Sequence, residues 1–163
     1  MKGRIQIVAL LLIMMIALNS WANGPFQKIA STSPAGDSLA ELKKNYPLVY
    51  NHLVHEFKYA TSLNYSVEGN ALLISFTNNG QKILTVYSTE GEFRHSITDI
   101  GLAIPPAITE QLKKEYPDFS VYYGREIRAN NKNMYEVIIE NKYEYRLINF
   151  VDTEMEEVKI LKK

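Results

Sequence analysis

His52 and His55, followed at once by Glu56, form the grouping in this 163-residue sequence with metal-like spacing. On a helix, residues three apart share a face, so two imidazoles could meet one Zn²⁺. The order differs from the zinc motifs in which a glutamate lies between two histidines. A third ligand would have to come from elsewhere, and the remaining histidine is the distant His95. The pair is therefore expected to sit on a solvated helix face, and no metal or other cofactor is expected. The chain has no cysteine, which removes thiol catalysis, thiolate metal sites and redox switching. No serine stands in a Gly-x-Ser-x-Gly turn and no glycine-rich run follows a strand to cradle phosphate. Glu154, Glu156 and Glu157 have the pattern of a charged turn and a protected edge strand. An enzyme is not expected.

Eleven tyrosines stand against six phenylalanines. Tyrosine fits a half-buried pleat, so most of them belong to the framework. Strand alternation puts Phe119, Val121 and Tyr123 on one face and Tyr122 on the other. In the following strand it groups Tyr135, Val137 and Ile139, leaving Glu136, Ile138 and Glu140 opposite. If helices cover one face, the other carries Tyr122, Glu136 and Arg146. A mixture of tyrosine, carboxylate and arginine suits recognition of a protein or peptide, and equally suits a solvated sheet.

The elements that position these residues begin after a targeting segment. Lys2 and Arg4 precede an uninterrupted apolar run from Ile7 to Leu18, and Asn19-Ser20-Trp21-Ala22 offers small residues where a signal peptidase reads. Twelve apolar residues are too few to span a bilayer, which takes roughly 20. Cleavage after Ala22 is expected, giving a periplasmic or secreted chain of 141 residues without stable membrane insertion. It removes two of the 18 basic residues and none of the 18 acidic ones, leaving a net charge of −2 that offers nothing to nucleic acid. Residues 23–37 have little periodicity and form a flexible lead-in.

A capping-box spacing at Ser38 to Glu41 starts a helix, which Pro47 either kinks or replaces with a second. Val49, Leu53 and Phe57 repeat every fourth residue. From Ser62 the period becomes two, and turns at Glu68-Gly69-Asn70, Asn78-Asn79-Gly80 and Thr89-Glu90-Gly91 separate four strands, the last a short one around Glu92 to Ser96. The order then recurs. Pro105 and Pro106 open a helix through Tyr116, with Ile108, Leu112 and Tyr116 spaced by four. Strands follow at Phe119 to Arg128, Met134 to Glu140, Tyr143 to Val151 and Met155 to Leu161. Placing Phe57 on Tyr116 superposes the helices and brings Tyr87 onto Phe150 with four extra residues. The fold class expected is α+β, two tandem helix-plus-four-strand antiparallel units (38–101 and 102–163) forming one continuous curved sheet backed by helices.

Ile104-Pro105-Pro106-Ala107-Ile108 and Leu112-Lys113-Lys114-Glu115-Tyr116-Pro117 resemble the helix of the PepSY-like domains of exported bacterial proteins. Tyr135 to Glu140 and Tyr143 to Leu147 resemble that family's strands, and Val86 to Gly91 its strand-then-turn ending. The first half departs from the pattern at Pro47 to Leu53, which lacks the Ile-Pro-x-Ala-Ile opening, and the second puts Thr153-Glu154 where the turn glycine would stand. The resemblance implies the β-lactamase-inhibitor-like fold, in which tandem copies build one broad sheet backed by helices. Inhibition of a β-lactamase does not follow from that fold; the mixed composition of the open sheet face leads to the expectation of an exported, non-enzymatic binding or inhibitory module whose partner is an extracytoplasmic protein or peptide. The alternative is a small-ligand or ion carrier with a pocket between helices and sheet.

Overall fold

The computed structural model describes residues 38–152 and 154–163. The expected signal segment and lead-in, residues 1–37, lie outside the described residues. Three helices and eight strands follow in the order α1 (Ser38–Asn45), α2 (Pro47–Glu56), β1 (Ala60–Glu68), β2 (Ala71–Asn78), β3 (Gln81–Ser88), β4 (Phe93–Gly101), α3 (Pro106–Glu115), β5 (Ser120–Ala129), β6 (Lys132–Glu140), β7 (Glu144–Val151) and β8 (Glu154–Lys162). The strands form one eight-stranded sheet in chain order, every neighbouring pair antiparallel.

Pro47 starts α2 rather than kinking a single helix: it stands at the first turn, where its missing N–H leaves no bond unmade. The two longer helices end alike. The N–H of Phe57 donates to the Leu53 carbonyl and that of Tyr116 to the Leu112 carbonyl, both at 2.8 Å. The first N–H of the following strand region then returns to the cap carbonyl, Ala60 to Phe57 and Phe119 to Tyr116, both at 3.1 Å.

The helices pack on one face of the sheet. Under α1 and α2, Leu42, Val49 and Leu53 meet Leu63, Leu72, Ile74, Phe76, Ile83 and Tyr87. Under α3, Ile104, Ile108 and Leu112 meet Val137, Ile139, Ile148 and Phe150. Burying each of these large side chains stabilises by roughly 1.5–3 kcal/mol, so the two stripes anchor the helices. Gly124 lets the second stripe approach, because a methyl group there would overlap Cδ1 of Ile104.

β4 is longer than the short strand expected from the sequence. Ile97, Thr98 and Asp99 pair with Ile127, Glu126 and Arg125, so its second half is the seam that joins β1–β3 to β5–β8. Isolated alternation does not reveal such a partner, which arrives only after the intervening helix.

Candidate binding surface

No described helix lies on the other face of the sheet. The register gives that face a simple plan of rows running across the strands. Leu84, Ile97, Ile127 and Met134 make an apolar row in which each side chain packs on its neighbours, with Leu73 and Val151 beside them. Two residues further along the strands the row changes character. Asp99, Arg125, Glu136, Asn149 and Glu156 stand opposite one another on β4, β5, β6, β7 and β8. Beyond them Tyr123, Ile138 and Leu147 restore an apolar row.

This polar row is enclosed at its centre. Arg125 is 6% exposed and Glu136 3%, and Arg125 Nη1 lies 3.6 Å from Glu136 Oε1, an ion pair longer than a hydrogen bond. Burial raises the ionisation point of Glu136 above the usual carboxylate range, and Arg125 opposes the rise. The Arg125 guanidinium also lies 5.7 Å from the Tyr123 ring centre. Burial and the Asp99 charge push the Tyr123 phenol up in turn. At the ends the row reaches water: Asp99 is half-buried and Glu156 exposed.

The face is therefore not evenly open, as the sequence had implied. One accessible part lies along the β5–β8 rim, where Tyr122 is 53% exposed and packs edge-on against Tyr145 at 5.2 Å between ring centres. Lys163 Nζ stands 4.5 Å over the Tyr145 ring and 2.6 Å from Glu140 Oε2. Leu161, opposite Tyr145 in the register, is exposed beside them.

Of the three residues singled out from the sequence, Tyr122 and Glu136 occupy this face, but they differ in access, one being exposed and the other buried in an ion pair. Arg146 does not join them. It pairs with Ile139, which packs beneath α3, so it projects on the helix side. There its guanidinium lies over the rings of Phe119 and Tyr116, at 4.9 and 5.5 Å, and bonds Glu144 at 2.6 and 2.7 Å and Glu157 at 2.8 Å. Tyr116 donates to the same Glu157 oxygen at 3.1 Å. Arg146 ties α3 to the last two strands. A second correction concerns Tyr123: a bulge between Val121 and Tyr123 breaks the alternation, so Val121 stays with Ile139 on the helix side while Tyr123 joins Ile138 on the other.

The histidine pair separates too. His52 is half-buried. Its Nδ1 shares a 3.0 Å hydrogen bond with the buried Tyr87 hydroxyl, and its ring stacks on Phe93 at 5.2 Å. His55 is exposed beside Glu56. Among the described residues no three His, Asp or Glu side chains converge as metal ligands would. An open cleft of about 500 Å³ lies between Pro117–Ser120 and Glu140–Lys142, with Lys163 on its wall.

Sequence reasoning missed Arg125, Asn149 and Asp99. A signal existed for one of them: Asn149 interrupts the apolar run Leu147-Ile148-Phe150, where a solvated strand would alternate. Arg125 gave none, because the bulge between Val121 and Tyr123 breaks the alternation that would assign it to a face.

No family model matches the sequence, and no curated protein matches it. Solved structures do share the fold. A BLIP-like protein from Bacteroides fragilis superposes with a TM-score of 0.58 at 12% identity, over 71% of this chain and 84% of its own. A DUF2874 family protein from Bacteroides uniformis gives a TM-score of 0.54 at 19% identity, over 80% of this chain and 90% of its own. A candidate periplasmic protein from Bacteroides eggerthii gives 0.54 at 18% identity, with the same coverage. At these identities the likeness is one of fold. No helix among the described residues is long and apolar enough to cross a membrane.

Proposed function

We propose that this chain is an exported, non-enzymatic binding or inhibitory module that holds an extracytoplasmic protein or peptide on the sheet face opposite its helices. The contact is centred on the β5–β8 rim. The observation that carries the reading is the polar row from Asp99 to Glu156, set between apolar rows on the face that no described helix covers. Beyond the row of Tyr123, Ile138 and Leu147, the exposed Tyr122 packed on the half-buried Tyr145 gives a partner a low-entropy anchor. The fold shared with a BLIP-like protein and with a candidate periplasmic protein supports both the export and the binding parts of the reading.

The same reading takes the two halves as copies of one PepSY-like unit. Helices of equal length with matching caps, each followed by a four-strand meander, support it. In that frame Arg125, Glu136 and Asn149 correspond to Ser66, Leu73 and Val86, which are also register partners. The fold therefore tolerates a largely apolar row at these positions, and the charges of the second half serve something other than folding. The small-ligand alternative would use the cleft beside Lys163, whose wide opening differs from the enclosed pockets that hold small ligands.

The test is capture from an envelope extract of the source cell, using the exported chain and a Tyr122→Ala/Tyr145→Ala variant side by side. A partner retained by the first and lost by the second supports the reading. A partner retained equally by both overturns the face assignment.

A further inference from the structure

The two edges of the sheet are treated differently by the sequence. β8 carries Glu154, Glu156, Glu157, Lys159 and Lys162, and a bulge interrupts its pairing with β7. Charge and bulging are the usual devices that keep an edge strand from pairing with another chain. β1 carries a single charge, Glu68, in nine residues. Its bulge lies at the beginning, where Ser62 takes a φ of +54°, the Asn64 amide bonds the Ser62 carbonyl at 3.2 Å and the Thr61 hydroxyl bonds the Thr77 carbonyl at 3.3 Å. From Asn64 to Glu68 the strand is regular in its pairing with β2, so along this stretch alternate backbone N–H and C=O groups face outward.

We infer that residues Asn64–Glu68 are the seam of a homodimer, in which β1 of one copy pairs antiparallel with β1 of a second. The segment is complementary to itself. A two-fold axis at Ser66 sets Tyr65 opposite Val67 of the partner, apolar against apolar on the helix side. It sets Asn64 opposite Glu68 of the partner on the other side, so no like charges face each other. Val67 is 47% exposed, and so is Leu39, at 45%, on α1, which packs against β1. Both are apolar groups that the second copy would cover. The dimer extends the eight-stranded sheet to twice its width and leaves the β5–β8 rim at each outer end, free for a partner.

The test is the sedimentation of the exported chain from low to high micromolar concentration, with Ser66→Lys and Ile160→Lys as paired variants and thermal unfolding as the check on folding. The expected result is a dimer that dissociates on dilution. Ser66→Lys, which places two lysines across the axis, should weaken it by about tenfold or more, and Ile160→Lys on β8 should not. Because the chain has no cysteine, Ser66→Cys supplies a second reading. Opposed residues of an antiparallel pair lie close enough to bridge, so mild oxidation should give a covalent dimer from Ser66→Cys and none from Ile160→Cys. A monomer at every concentration overturns the inference. So does a dimer that Ser66→Lys leaves intact, whether an extended partner segment or β8 supplies the seam.

Discussion

Position for position, the two halves of the sheet place their main buried polar groups on opposite faces. In the first half the Tyr87 and Thr85 hydroxyls lie beneath the helices. The wholly buried Tyr87 meets His52, and the Thr85 hydroxyl donates to the Ile74 carbonyl at 3.3 Å. The corresponding residues of the second half are Phe150 and Ile148, both apolar, and the polar node there is displaced to the rim, around Arg146. On the other face the arrangement is reversed: Ser66, Leu73 and Val86 in the first half, Arg125, Glu136 and Asn149 in the second. A buried hydrogen bond such as that of Tyr87 contributes about 1 kcal/mol net. A buried ion pair contributes little and can cost stability relative to apolar residues of similar shape. The first half's polar groups are thus explained by packing beneath the helices, while those of the second half lie buried on the other face.

The largest effect is expected at Arg125. Arg125→Met alone should destabilise by about 3–5 kcal/mol in chemical denaturation, because it leaves the Glu136 charge buried without compensation. The loss should shrink on acidification. Glu136 already has a raised ionisation point, so the proton it then needs becomes available as pH falls. Arg125→Met combined with Glu136→Leu should return to near the parent stability, imitating the apolar row of the first half. If the double variant stays as unstable as the single one, the row is part of the framework and the contrast fails.

Gly124→Ala should cost about 1–3 kcal/mol through overpacking, and Ile104→Val, which removes the overlapping methyl, should recover most of it. The equivalent position in the first half is Tyr65, which sits edge-on to Tyr46. No such sensitivity to size is expected there. Tyr87→Phe should cost about 1 kcal/mol by deleting the hydroxyl that His52 partners; no measurable loss would mean that this hydrogen bond is replaced by water.

The smallest effect concerns pH. Burial, and secondarily Arg94, holds the ionisation point of His95 below its ordinary value, so the folded chain favours the neutral ring. Its contribution is whole above about pH 6.5, the unfolded value, and is lost as pH falls from there through the lower folded value. His95→Gln should flatten that part of the stability profile, and an unchanged profile would assign the acid sensitivity elsewhere.

Much of the framework was legible in the sequence because it rests on local rules. Spacing by four at Val49, Leu53 and Phe57, and again at Ile108, Leu112 and Tyr116, marked the helix stripes. The glycine turns at Gly69, Gly80 and Gly91 marked the first meander. The surface was legible only in part, since each failure arose from a non-local feature. The β5 bulge moved Tyr123 across the sheet, and the register set Arg146 against Ile139 rather than against Glu136. His52 was read as solvated because nothing nearby in sequence announces Phe93 and Tyr87. Those two arrive on β3 and β4 and enclose it.

Affinity decides whether a partner is held on the face opposite the helices. Once a partner is in hand, its binding to Tyr122→Ala and Glu136→Gln should be compared with its binding to Arg146→Ala and His52→Ala, each variant first shown to be folded. A central anchor typically costs about 2 kcal/mol or more when truncated, so Tyr122→Ala should weaken binding by roughly thirtyfold or more. Glu136→Gln should weaken it less, while the two helix-side changes leave it within about twofold. Loss of binding in Arg146→Ala or His52→Ala, with Tyr122→Ala unaffected, would place the partner on the helix side instead.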